Sequence, residues 1–169
     1  MSGPVFGPMR DGAGRVYRPA MDTVLTAAER EYLASCRRGC LATIGPDGGP
    51  DVVPVSYRLN ADGTIDIGGP KMGESRKFRN VAARPRVAFV VEDTVPDGPG
   101  QFRPGVGRGL ELRGRAEALR GVEPPGFGAS LFSDEVIRIH PEQCVSWHVD
   151  PGRPSLRVLR GYEAVYRAD

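Results

Sequence analysis

The stretch CLATIGPDGGPDVVPVSYRLNADGTIDIGG, residues 40–69, contains three β-strand patterns separated by two turn sequences. The strand patterns are CLATI (40–44), DVVPVSYRL (51–59) and TIDIG (64–68). Because each intervening segment contains glycine with aspartate or asparagine, we expect tight turns and an antiparallel meander. Pro54 cannot donate a backbone hydrogen bond, which places it at a sheet edge, at a bulge or facing a ligand.

The rest of the chain extends this pattern in both directions. Thr26 followed by Glu29 is a capping box, and it predicts a helix over 26–37. A second helix is predicted over 74–83, ended by the Arg-Pro pair that follows it. Four further strands are predicted at RVAFVVE (86–92), LELRGRAEAL (110–119), EVIRIH (135–140) and CVSWHV (144–149), the last two joined by a Pro-Glu-Gln turn.

These elements predict a mainly β fold, a closed or split barrel with flanking helices. The lack of alternating strand and helix units disfavours a doubly wound nucleotide-binding fold. We divide the chain into a Gly/Pro-rich leader (1–22), a barrel domain (23–150) and a C-terminal extension (151–169).

Residues 93–107 contain three prolines and four glycines, a composition that predicts a long loop. A loop of this length is a candidate lid over a binding site, with Gln101, Phe102 and Arg103 at its tip. The alternative is a solvated excursion that contacts nothing, since surface insertions cost little free energy.

The composition limits the classes of partner. The net charge is only +2 over 169 residues, so no overall electrostatic attraction favours nucleic acid or an acidic membrane. Lys71 and Lys77 are the only lysines among 23 basic residues, a bias towards arginine that is typical of GC-rich genomes such as those of actinobacteria.

Three cysteines, Cys36, Cys40 and Cys144, show no paired metal-ligand spacing, and we expect buried thiols rather than a metal site. The first residues lack an apolar signal core, and no run of apolar residues is long enough to span a bilayer. We therefore expect a cytoplasmic protein with reduced thiols.

A basic cluster follows the third predicted strand. Ser75, Arg76 and Lys77 lie where the second helix is predicted to begin, and a helix N-terminus with adjacent hydroxyl and cationic side chains suits a phosphate group. The alternative is a solvated basic helix face, because a run of charges specifies little by itself.

Four stretches together resemble the pyridoxamine 5′-phosphate oxidase-like flavoproteins, and most closely their actinobacterial branch of reductases that use the deazaflavin coenzyme F420. The stretches are LATIGPDGGPDVVPVSYRLNADGTIDIGG (41–69), SRKFRNVAARPRVAFVVED (75–93), RGLELRGRAEAL (108–119) and IRIHPEQCVSWHVD (137–150). The resemblance implies a homodimeric split β-barrel of the FMN-binding type, with the cofactor in a groove between the two subunits.

The resemblance also implies the roles of individual residues. Ser75, Arg76 and Lys77 match the phosphate-binding positions, and Asn80 would fix the turn that presents them. The remaining positions implied to contact the cofactor are Val53, Pro54, Val55 and Ser56 along the ring edge, Gly68 and Gly69 at points of close approach, and Trp147 from the second subunit. Each of these also has an ordinary packing role to be weighed against this one. His148 is a candidate proton donor, or else a surface residue.

The expected function is therefore that of an oxidoreductase, which transfers a hydride from reduced F420 to an activated C=C or C=N bond of a conjugated small molecule. One alternative is an FMN-dependent oxidase or reductase acting on a pyridoxine phosphate-like substrate, for which Arg153, Arg157 and Arg160 could bind a second phosphate. The other is a non-catalytic module that binds flavin or haem, because one fold hosts many functions.

Overall fold

The computed structural model of the protein describes residues 24–98, 104–125 and 131–152 in full. It also describes the backbone of three short strand segments, at 9–10, 16–17 and 157–159. The tip residues of the predicted lid, Gln101, Phe102 and Arg103, lie outside the described residues, as do Arg153 and Arg160.

Strands predominate along the described chain, and three helices interrupt them. They are β1 (Met9–Arg10), β2 (Val16–Tyr17), α1 (Ala27–Ser35), β3 (Arg38–Ile44), β4 (Pro50–Leu59), β5 (Ile65–Ile67), a 3₁₀-helix (Met72–Glu74), α2 (Arg76–Ala83), β6 (Arg86–Thr94), β7 (Gly107–Arg120), β8 (Glu135–Trp147) and β9 (Arg157–Leu159).

Six antiparallel strands form a closed barrel in the order β5-β4-β3-β6-β7-β8, and β5 pairs with β8 to complete the ring. β9 pairs with β8 outside this ring, and β1 pairs with β2 in a separate hairpin. The prediction of a mainly β barrel with flanking helices is confirmed. Closure of the ring leaves few unpaired sheet edges.

The barrel interior holds the core. In β7 the inward-facing residues Leu110, Leu112 and Ala116 are buried, as the sequence alternation predicts. Helix α1 packs at one end, where Leu33 is fully buried and the Tyr57 hydroxyl donates to the Leu33 carbonyl oxygen at 2.7 Å. The predicted capping box of α1 is present, and Thr26 and Glu29 cap each other's backbone N–H groups.

The prediction of two strands over 135–140 and 144–149 is wrong. The two segments form one strand, β8, which pairs with β7 along its whole length and shifts register between Arg113 and Gly114. The shift is a β-bulge at Glu142, and it explains why the sequence alternation breaks there. A Cβ on Gly114 would lie 2.1 Å from the His140 carbonyl oxygen, so the bulge requires glycine at that position.

Two further expectations are corrected. The loop predicted over 93–107 is shorter, because Asp93 and Thr94 belong to β6, Gly107 belongs to β7, and Thr94 pairs with Gly107. Cys40 is exposed rather than buried, since its side chain lies on the outer face of β3, whereas Cys144 is buried in the core.

Candidate functional site

The first turn of α2 is built by Ser75, the N-cap residue. Its hydroxyl accepts a hydrogen bond from the Phe78 backbone N–H at 3.3 Å and donates one to the Met72 carbonyl oxygen at 2.7 Å. Ser75 therefore fixes the start of the helix, where unpaired N–H groups favour an anion.

Asp51 holds α2 against the barrel from the start of β4. Its carboxylate accepts hydrogen bonds from the Arg76 guanidinium, with Nε at 2.8 Å and Nη2 at 3.0 Å, and from the Asn80 side-chain amide at 3.2 Å. The same Asn80 amide donates to the Thr43 hydroxyl at 3.0 Å. Because Asn80 is buried, these bonds satisfy an amide that would otherwise be costly to bury.

Lys77 has a different environment from Arg76. Its side chain is half-buried, and this burial lowers the pKa of the ammonium group, although the nearby Asp51 carboxylate partly counteracts the effect. Among the described residues it forms no salt bridge and no hydrogen bond. An anion beside Lys77 would compensate for its lost hydration.

A surface cavity of about 360 Å³ opens beside this cluster. The turn between β3 and β4 forms one wall, and Asp51 and Arg76 form the other. Two carboxylates, those of Asp47 and Asp51, line the cavity, and the guanidinium of Arg76 there is paired with Asp51.

The segment of β4 predicted to contact the cofactor ring runs away from this cavity. Val53 and Val55 point into the barrel, and Val55 is buried in the core. Pro54 is exposed on the opposite face and Ser56 is half-exposed there, so these two present side chains outward. β5 pairs with β4 only from Tyr57 to Leu59, so the described sheet has an edge at Pro54, where a missing N–H costs nothing.

Gly68 and Gly69 follow β5 and are covered from within the same chain. A Cβ on Gly68 would lie 2.6 Å from Pro125 and 2.9 Å from Phe132, so this glycine permits close packing with the connection between β7 and β8. The carbonyl oxygen of Gly69 accepts a hydrogen bond from the backbone N–H of Ser133 at 3.2 Å.

Trp147 and His148 lie at the other end of the sheet. Trp147 pairs with Gly109 of β7. A Cβ on Gly109 would lie 2.7 Å from Cζ2 of Trp147, so the indole fills the space above this glycine. The Nδ1 atom of His148 lies 3.0 Å from the Gly107 carbonyl oxygen, to which it can bond only as a donor. His148 thereby links the end of β8 to the start of β7.

Ser75, Arg76, Lys77 and Asn80 lie together at the start of α2. Trp147 lies at the end of β8. Along the sheet, the residues Val52, Ala42, Ala88, Arg113 and Gln143 lie in one row. Asp51, which binds Arg76, is next to this row, whereas Trp147 is four residues beyond it on β8. Lys77 and Trp147 are therefore separated along the sheet within one chain.

Sequence reasoning missed Asp51 and Thr43, which hold Asn80 and Arg76. The signal that could have found them is the first hairpin, whose turn sets Thr43 opposite Asp51. No cluster of three or more metal-binding side chains occurs among the described residues, and no helix there is long and apolar enough to cross a membrane.

A family model described as pyridoxamine 5′-phosphate oxidase matches residues 25–159, which include the barrel, both helices and β9. The chain belongs to this family. The match covers the phosphate-binding positions inferred above and both ends of β8.

A curated relative from Streptomyces rimosus, a 5a,11a-dehydrotetracycline/5a,11a-dehydrooxytetracycline reductase, is 44% identical over 128 residues. The match covers 74% of this chain and 84% of the relative. The predicted assignment to the oxidoreductases is confirmed at this level: the protein is an enzyme of that class.

Solved structures share the fold. A conserved hypothetical protein of Mycobacterium tuberculosis has a TM-score of 0.56 and 26% identity, with 88% of this chain and 100% of that chain covered. An FAD-binding protein of Mesorhizobium loti has a TM-score of 0.51 and 22% identity, over 71% of this chain and 90% of the other. The second likeness concerns the fold alone.

Proposed function

We propose that this enzyme uses reduced coenzyme F420 to reduce an activated C=C or C=N bond of a conjugated, polycyclic small molecule. Family membership supports a flavin or deazaflavin cofactor. The reductase from Streptomyces rimosus supports the substrate class, because the compounds in its name are dehydrotetracyclines.

The observation that carries the proposal is the environment of Lys77. Its half-buried ammonium group has no hydrogen-bond partner among the described residues, and it lies one turn or less from the capped start of α2. A half-buried cation beside the N–H groups of a helix N-terminus fits the phosphate of a flavin-type cofactor. Arg76 contributes less charge to such a site than the sequence suggests, because Asp51 pairs with it.

In this proposal the chain binds and orients, while the cofactor carries the redox chemistry. When bound, the deazaflavin supplies the hydride that reduces the substrate. Lys77 and the N-terminus of α2 hold the phosphate, and the outward-facing Pro54 and Ser56 bound the strip of β4 beside which the ring would lie. No side chain is assigned as proton donor.

The proposed site needs a homodimer. Trp147 lies at the far end of the sheet from Lys77, so the partner subunit's Trp147 would complete the groove. An apolar outer surface supports this arrangement: Val52 is 61% exposed, and Pro54 and the paired Cys40 are exposed beside it. A second copy covering these side chains would remove apolar surface from water.

Titration of the purified protein with F420 and with FMN, measured by fluorescence, tests the cofactor. We expect F420 to bind more tightly, and steady oxidation of reduced F420 in the presence of a dehydrotetracycline. Tight binding of FMN without binding of F420 would instead support the FMN-dependent alternative, which the family's name favours. Binding of neither would refute both.

A further inference from the structure

The turn that leads into α2 is an unusual piece of backbone. Lys71 has a φ of 49°, in the left-handed region, and the 3₁₀-helix Met72–Glu74 follows it directly. Met72 is fully buried and anchors the turn in the core. The turn ends at Ser75, so its geometry sets where the phosphate-binding residues lie.

Ser133, from the connection between β7 and β8, bonds to both ends of this turn. Its hydroxyl accepts a hydrogen bond from the backbone N–H of Met72 at 2.9 Å. Its own N–H and hydroxyl donate to the carbonyl oxygen of Gly69, at 3.2 and 3.3 Å. One side chain therefore fixes the separation between Gly69 and Met72.

Glu135, the first residue of β8, holds the middle of the turn. Its Oε2 atom accepts from the Gly73 backbone N–H at 3.2 Å, and a Cβ on Gly73 would collide with the carboxylate. Its Oε1 atom lies 2.6 Å from Arg120, its partner in the β7–β8 pairing. Arg120 in turn lies over the ring of Phe78, 5.2 Å from its centroid.

The surroundings of this carboxylate favour its ionised form. The Ser133 hydroxyl and the Gly73 N–H, together with the charge of Arg120, lower the pKa of Glu135. Ser133 and Glu135 thus contact the turn before the N-cap Ser75. Glu135 also reaches the helix after it, because its partner Arg120 lies over the ring of Phe78.

We propose that Ser133 and Glu135 are positioning residues for the cofactor phosphate, acting through the turn Gly69–Glu74 on Ser75 and Lys77. This inference rests on the proposed function. Neither residue belongs to the basic cluster of Ser75, Arg76 and Lys77. Their contribution is to hold the N-terminus of α2 in one position and orientation.

The test compares ligands with and without the phosphate. Dissociation constants are measured for FMN and riboflavin, and for F420 and its phosphate-free deazariboflavin core. In the Ser133→Ala variant we expect the phosphate-bearing ligand to bind about fivefold more weakly, while the phosphate-free ligand binds as in the wild type. Ser133→Thr, which keeps the hydroxyl, should bind the phosphate-bearing ligand as tightly as the wild type does.

Ser35→Ala is the matched control, because the Ser35 hydroxyl likewise bonds to a backbone group, the Tyr32 carbonyl oxygen, but on α1. If Ser133→Ala unfolds, Glu135→Gln, which keeps the side-chain size, serves in its place with the same expected direction.

Equal weakening of both ligands, or no change in either, overturns the positioning role. Lys77→Ala separates this failure from failure of the proposed function. If Lys77→Ala lowers the preference for phosphate and Ser133→Ala does not, only the positioning role is wrong. If Lys77→Ala has no effect either, the phosphate assignment and the inference resting on it are both wrong.

Discussion

The Arg76 guanidinium and the Asp51 carboxylate form a two-point salt bridge, with Nε 2.8 Å from Oδ2 and Nη2 3.0 Å from Oδ1. The pair ties the N-terminus of α2 to the start of β4. It also neutralises one of the two cations in the basic cluster of Ser75, Arg76 and Lys77, so the remaining charge of that cluster lies on Lys77.

Replacing Lys77 by alanine should weaken cofactor binding roughly ten- to a hundredfold, because a charge-assisted hydrogen bond to phosphate is lost. Titration of wild type and variant with F420 measures the change. Arg30→Ala, which removes one positive charge on α1, is the control and should bind like the wild type. Unchanged affinity in the Lys77 variant would show that the phosphate lies elsewhere.

Asn80→Ala should lower the free energy of unfolding by about 1–3 kcal/mol. The buried amide bridges the Thr43 hydroxyl and the Asp51 carboxylate, and its loss leaves both without that donor. Urea unfolding followed by circular dichroism provides the measurement. An unchanged free energy of unfolding in the Asn80 variant would contradict this account.

Asp66→Asn should make the free energy of unfolding less dependent on pH in the acid range. Asp66 is fully buried; burial alone would raise its pKa, but hydrogen bonds from Arg138, Asn60 and Arg58 outweigh this and lower it. Since the folded pKa lies below the unfolded one, the carboxylate stabilises the fold above the ordinary aspartate range, and this is lost as pH falls through the folded value.

The Asp66 variant should therefore be less stable than wild type by roughly 1–2 kcal/mol near neutral pH, a figure reduced because both arginines are partly exposed. The difference should shrink below about pH 4. Urea unfolding at a series of pH values measures it, and a difference that stays constant into acid would rule out this role for Asp66.

We expect wild type to be the proposed dimer at micromolar concentration and Val52→Arg to be a monomer that binds the cofactor more weakly, because an arginine buried without a partner at an interface costs on the order of several kcal/mol. Light scattering reports the mass. Leu131→Arg is the matched control, since Leu131 is the other large apolar side chain exposed among the described residues, at 75% against 61% for Val52. A wild-type monomer, or a dimeric Val52 variant, would exclude this face as the interface.

Local patterns in the sequence predicted most of the elements correctly. The capping box at Thr26 and Glu29 and the alternation in 110–119 are local signals, because helix caps and half-buried strands involve neighbouring residues. The bulge at Glu142 was missed because it depends on the pairing of β8 with a distant glycine in β7, which a local pattern does not contain.

The candidate site shows the same division. Ser75 and Lys77 were predicted from a run of adjacent residues and a resemblance. Asp51 could not be assigned in this way, because its contacts with Arg76 and Asn80 cross 25 and 29 residues of chain. The pairing of Arg76 with Asp51 was therefore invisible in the sequence, although it decides which cation is available to a ligand.

The bulge in β8 changes which positions of the strand face the barrel interior. Ile137 and Ile139, at odd positions, point into the barrel before it, whereas Cys144 and Ser146, at even positions, point inward after it. If Glu142 stayed in the chain and β8 were regular, the odd positions would keep facing inward, turning Ser146 away from its bond with the buried Glu29 and sending the indole of Trp147 towards the core. The bulge at one residue thus determines whether the last tryptophan of the barrel is available to anything outside it.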